Sequence, residues 1–132
     1  MPTYLGADGA RLHYDEVGDP DAPTLVAIAG GAARHPDYLG DLAGLGGTWR
    51  LVVPHLRGVG RSPRPVDAAR GAAWHQGEDL ELLREHLGLE ALVLVGHSAG
   101  TRLAIAYAAQ RPDRVARLLL VTPPTQSLTE VQ

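Results

Sequence analysis

Apolar residues in this chain gather into short continuous runs: TLVAIAGG at residues 24–31, WRLVVP at 49–54, ALVLVG at 91–96 and VARLLLV at 115–121. Runs this short, bounded by glycine or proline, suit strands buried on both faces. The earlier segment ARLHYDEVG, at 10–18, alternates loosely and runs into the turn-rich GDPDAP. It reads as an antiparallel strand.

Between these runs the apolar spacing turns helical. Tyr38, Leu39, Leu42 and Leu45 predict a short helix after the second strand. A longer helix is expected from about Asp67, with Leu80, Leu83 and Leu87 at i, i+3 and i+7 and Gly88 as its stop. Another runs from Ala99 to about Gln110 and halts near Pro112, and a polar tail, TPPTQSLTEVQ, follows the last strand. Strands alternating with helices predict a single α/β domain over residues 1–132, with a mostly parallel, twisted sheet covered by helices on both faces.

Composition narrows the function classes. The 132 residues carry a formal net charge of -3 without a block of like charge, so no nucleic-acid or membrane-surface partner is expected. All 12 basic residues are arginines, and Lys, Asn and Phe are absent, a bias typical of GC-rich coding. With no cysteine, disulfides and thiolate metal sites are excluded. No histidine–carboxylate cluster has metal spacing, and no glycine loop has the lysine of a phosphate-binding loop. Neither a metal nor a cofactor is expected. The start of the chain lacks a basic region followed by an apolar signal core, and no run reaches the length of a membrane span. The expected location is cytoplasmic.

The candidate chemistry lies in LVLVGHSAGTRLAIAYAAQ, residues 92–110. A serine hydroxyl needs a base to take its proton and amide donors for the oxyanion. A sharp strand-to-helix turn lifts the hydroxyl of Ser98 to the carboxyl end of the sheet, beside a helix N-terminus. Such a turn is crowded and demands small neighbours, which Gly96 and Gly100 supply around His97, Ser98 and Ala99 in the G-x-S-x-G pattern. A helix N-cap role would explain Ser98 but not both glycines.

Four segments in order, LVAIAGGAARHPDYLGDLAGL, LVVPHLRGVGRS, EDLELLREHLGLEALVLVGHSAG and YAAQRPDRVARLLLVTPP, resemble the α/β-hydrolases. Within them the likeness is to the branch of proline iminopeptidases and small esterases. The resemblance implies Ser98 as nucleophile and the backbone N–H groups of Gly31 and Ala99 as oxyanion donors. Gly30 and His35 lie in the oxyanion loop, where His35 could line the pocket; Tyr38 either borders the pocket or packs. Arg57, Gly58, Gly60 and Ser62 resemble the family's structural turn.

The chain also departs from the family. Ala29-Gly30 replaces the usual His-Gly, His55 stands where an aspartate is usual, and Thr101 replaces a frequent second glycine. His55 is expected to pack or hydrogen-bond behind the following loop, His75 and His86 to lie on the surface, and the elbow to turn His97 away from Ser98.

No histidine follows Ser98, and the tail offers only Glu130 as an acid. The resemblance therefore implies the front portion of such a fold, ending at about the sixth strand, before the triad histidine and acid. The last strand would carry unpaired backbone groups and bare aliphatic side chains. A complementary C-terminal segment, or self-association through that strand, is expected. Two functions stay open. One is a serine hydrolase acting by acyl transfer on an ester or amide of a small molecule. The other is a non-catalytic binding or assembly module that keeps the elbow.

Overall fold

The computed structural model describes residues 2–29, 47–55, 73–98 and 100–121. Within them the chain forms strands β1 (Thr3–Leu5), β2 (Arg11–Gly18), β3 (Thr24–Ile28), β4 (Arg50–Pro54), β5 (Leu92–His97) and β6 (Val115–Val121), with helices α1 (Ala73–Leu87) and α2 (Gly100–Gln110). β1 escapes the sequence pattern because its three residues carry no periodicity. The helix expected over residues 38–45 and the first part of the one expected from Asp67 lie outside the described residues.

One sheet runs in the order β1-β2-β4-β3-β5-β6. β1 and β2 form an antiparallel hairpin, and β2 lies antiparallel to β4. From β4 onward the pairings are parallel, as expected for buried βαβ units. β3 sits between β4 and β5, so the chain leaves it on one side for β4 and then crosses to the other for β5. That reversal is a switch point, and open α/β sheets bind ligands beyond the carboxyl ends of the strands there.

Register divides the core into two layers. Val26 pairs with Val52 on one side and with Leu94 on the other, giving a row of side chains on one face. Leu80 and Leu83 of α1 and Leu103, Ala104 and Tyr107 of α2 pack against this row. Both described helices therefore cover the same face. Leu25, Ala27, Leu51, Val53 and Val95 form a second buried cluster on the opposite face. Each aliphatic side chain taken out of water contributes about 1.5–3 kcal/mol, so among the described residues the central strands and the helices packed on them share the hydrophobic stabilisation.

α1 stops where the sequence places its stop. Gly88 has φ +71°, a conformation that glycine adopts without a Cβ penalty. Its N–H donates to the Glu85 carbonyl at 3.0 Å, and the Leu89 N–H donates to Arg84 at 3.2 Å. These two bonds form a Schellman closure.

Between the helices lies a polar cluster that apolar periodicity cannot reveal. Glu81 accepts from Arg84 Nε at 2.7 Å and from the Tyr107 hydroxyl at 2.7 Å. The Arg84 hydrogen bond, with help from Tyr107, holds the Glu81 carboxyl below its usual range despite partial burial. Burial first, and then the bond to Glu81, push the Tyr107 hydroxyl well up. Among the described residues no helix is long and apolar enough to cross a membrane.

Candidate active site

β5 delivers the chain to the carboxyl edge of the sheet. Leu92 and Leu94 are fully buried, and the strand ends at His97. Ser98 then takes φ +52°, the only positive φ at a non-glycine residue among those described. An L-residue in this left-handed region pays about 1–2 kcal/mol, so surrounding contacts must hold it there. α2 begins at Gly100. The backbone therefore makes a sharp strand-to-helix turn at Ser98 and leaves the residue half-buried beside the switch point.

Close approach accounts for both glycines. A Cβ on Gly96 would lie 2.9 Å from Thr101 Cα and 3.1 Å from Ala104 Cβ, jamming the strand against the helix that follows it. One on Gly100 would lie 2.5 Å from the Ile28 carbonyl oxygen and 2.6 Å from that of Ala29. Gly100 thus lets the start of α2 rest on the end of β3. The N-cap alternative predicts no such crowding at either position.

Three hydrogen bonds hold the turn. The Ser98 N–H donates to the Val121 carbonyl at 2.8 Å, and the Ser98 carbonyl accepts from the Thr101 N–H at 3.0 Å. Thr101 Oγ1 donates to the same carbonyl at 2.7 Å. Thr101, a departure in the sequence, is 1% exposed and works as a buttress. Sequence reasoning missed both Thr101 and Val121. The threonine could have been found as a side-chain donor one turn into the helix. The Val121 bond is a main-chain contact set by sheet register, and no residue type signals it.

The remaining candidates divide by position. His97 closes β5 on the face opposite Gly96 and Leu94, the alternation expected of a strand. Gly30, Gly31, His35, Tyr38 and Ala99, as well as the turn residues Arg57, Gly58, Gly60 and Ser62, lie outside the described residues. His55 is buried, and its Nε2 is 2.8 Å from Asp15 Oδ2 on β2, a carboxylate partner that the sequence did not single out. His86 is exposed, yet its Nε2 lies 3.2 Å from the Tyr14 hydroxyl. Among the described residues no histidine or carboxylate hydrogen-bonds the Ser98 side chain, and no cluster could hold a metal ion. What the arrangement offers is a hydroxyl on a strained bend at a helix N-terminus, at the edge where this sheet class meets its ligands.

Residues 23–132 match the α/β-hydrolase fold family, and the chain belongs to it. A proline iminopeptidase from Neisseria gonorrhoeae is 32% identical over 112 residues, which is 83% of this chain and 36% of that protein. Among solved structures, an α/β hydrolase from Novosphingobium aromaticivorans is 34% identical, with a TM-score of 0.75 over 90% of this chain and 42% of that one. A marine microorganism esterase matches at 25% identity and a TM-score of 0.73, covering 84% of this chain and 41% of its own. The chain thus spans well under half the length of each of these proteins.

Proposed function

We propose that this chain carries the nucleophile portion of a serine hydrolase that acts by acyl transfer on an ester or amide of a small molecule. The observation that carries the reading is Ser98 at φ +52° between two glycines that admit no Cβ. The hydrolytic relatives named above support the reaction class.

In the proposed reaction Ser98 Oγ bonds to the substrate carbonyl carbon while its proton passes to a histidine. The backbone N–H groups of Gly31 and Ala99 hold the resulting oxyanion. On collapse the bond to the alcohol or amine leaving group breaks, and the histidine returns the proton to it. Water then releases the acyl group by the same steps. We assign the histidine and its orienting acid to a complementary segment, since among the described residues no histidine hydrogen-bonds the Ser98 side chain.

β6 is where we place that segment. Its pairing is to β5, and Leu118, Leu119, Leu120 and Val121 are 37–52% exposed. Alternation puts Leu118 and Leu120 on the helix-bearing face and Leu119 and Val121 on the other. Ile105 adds a further exposed apolar side chain on α2. An occupant that satisfies this edge brings a parallel strand and apolar cover for both faces. Edge-to-edge pairing of two copies would set bare aliphatic faces beside bare aliphatic faces. A second polypeptide in the intact mass of purified material supports the segment, and a homodimer of this chain alone overturns it.

A serine-directed fluorophosphonate tests the chemistry. Labelling at Ser98 is expected, with loss in Ser98→Ala. Enzymes stripped of triad members keep an advantage of about 10³–10⁴ over water, so slow labelling without the segment is consistent. An unlabelled Ser98 in the presence of the segment would favour a binding or assembly module instead.

A further inference from the structure

Ser98 is tied to the rest of the fold unequally. Its carbonyl is held from within the elbow by the backbone and side chain of Thr101, a residue 1% exposed. Its N–H is held by the Val121 carbonyl, at the far tip of β6. Among the described residues β6 is the terminal strand of the sheet, and the Val121 side chain is 40% exposed. Among the described residues, the strained backbone at Ser98 is therefore secured on one side by a buried threonine and on the other by the least buried strand.

We infer that the Val121 main-chain carbonyl is a positioning group for Ser98, so that order at the tip of β6 sets the reactivity of the serine. When β6 pairs fully with β5, the His97↔Val121 register brings that carbonyl beneath the Ser98 N–H. When the tip frays, the amide loses its acceptor, and the left-handed conformation loses its hold from the sheet side. Pairing on the open edge of β6 would tighten the tip and, through it, the elbow. The coupling deepens the proposed role of Ser98, yet amide exchange reads it without any chemistry at the hydroxyl.

The test compares two glycine substitutions on the same strand. Val121→Gly keeps the carbonyl but loosens the backbone that carries it. Arg117→Gly loosens the same strand at an exposed position four residues back, opposite Val93 and beside the β5–β6 register shift. Circular dichroism and thermal melting confirm that both variants fold. Hydrogen exchange of the Ser98 amide in the full chain is expected to quicken about two- to fivefold in Val121→Gly, from the usual cost of strand glycine, and to stay near wild type in Arg117→Gly. Fluorophosphonate labelling at Ser98 is expected to slow by a similar factor in Val121→Gly alone. Equal changes in the two variants, or an unchanged Ser98 amide in Val121→Gly, would overturn the coupling. If exchange separates the variants while wild type takes no label even with the complementary segment present, the coupling stands and the nucleophile reading falls.

Discussion

β5 and β6 lie side by side in parallel, and both read as continuous apolar runs, LVLVGH and VARLLLV. β5 is closed in: Leu92 and Leu94 are 0% exposed, and β3 and β6 flank it. β6 has Leu119 at 52% and Leu120 at 39%. The same kind of sequence sits in two environments because burial depends on what neighbours a strand as well as on what the strand is made of. The difference separates intrinsic pattern from completed structure, and it places the weak side of the sheet directly against the serine turn.

The comparison breaks first if the two strands respond alike to truncation. Leu94→Ala truncates a fully buried member of the Val26 row that packs against the helices and is expected to cost about 2–5 kcal/mol in denaturant unfolding. Gly100→Ala should cost about 3 kcal/mol, the upper part of the overpacking range, because its Cβ would meet two backbone carbonyls that cannot rotate away. The same variant should lose fluorophosphonate labelling by displacing the start of α2.

Tyr107→Phe sharpens the picture of the buried side. It deletes a hydrogen bond to the Glu81 carboxylate and should cost about 1.5 kcal/mol. The pH dependence has a defined sign. The Glu81 pKa is lowered in the fold, mainly by Arg84, so its stabilisation is present above the usual glutamate range and fades as acid protonates it. The Tyr107 pKa is raised, mainly by burial, so its contribution is present below the ordinary tyrosine value and is lost in strong alkali. Acid melting curves of wild type and Glu81→Gln should therefore converge at low pH.

What the sequence made legible follows what carries a period or a signature. β2 to β6 and α2 lie near their expected limits, and α1 ends where expected, because runs such as TLVAI and the Leu80–Leu83 spacing need no partner to be read. The stop at Gly88 and the crowding at Gly96 and Gly100 were legible as residue types. Three things were not. β1 is too short to show alternation. The Asp15–His55 pair joins residues 40 positions apart, brought together by the antiparallel register of β2 and β4. The tie from Ser98 to Val121 runs through main-chain atoms, which every residue has. Long-range polar contacts and backbone bonds belong to topology, and only the fold displays them.

Leu119→Lys has the smallest expected effect and discriminates most finely. A lysine at this half-exposed site on the terminal strand buries no charge in the chain as it stands, so unfolding stability should move by no more than about 0.5 kcal/mol. A charge at an exposed edge also disfavours pairing with other chains, so any concentration-dependent association seen by sedimentation should weaken. If the proposed segment covers β6, the same lysine has to be desolvated against an apolar cover, and the complex should weaken far more than the free chain. A loss for the free chain as large as that of Leu94→Ala would mean that β6 is already covered in solution. The contrast with β5 would then vanish, and with it the reason to place a partner on this edge.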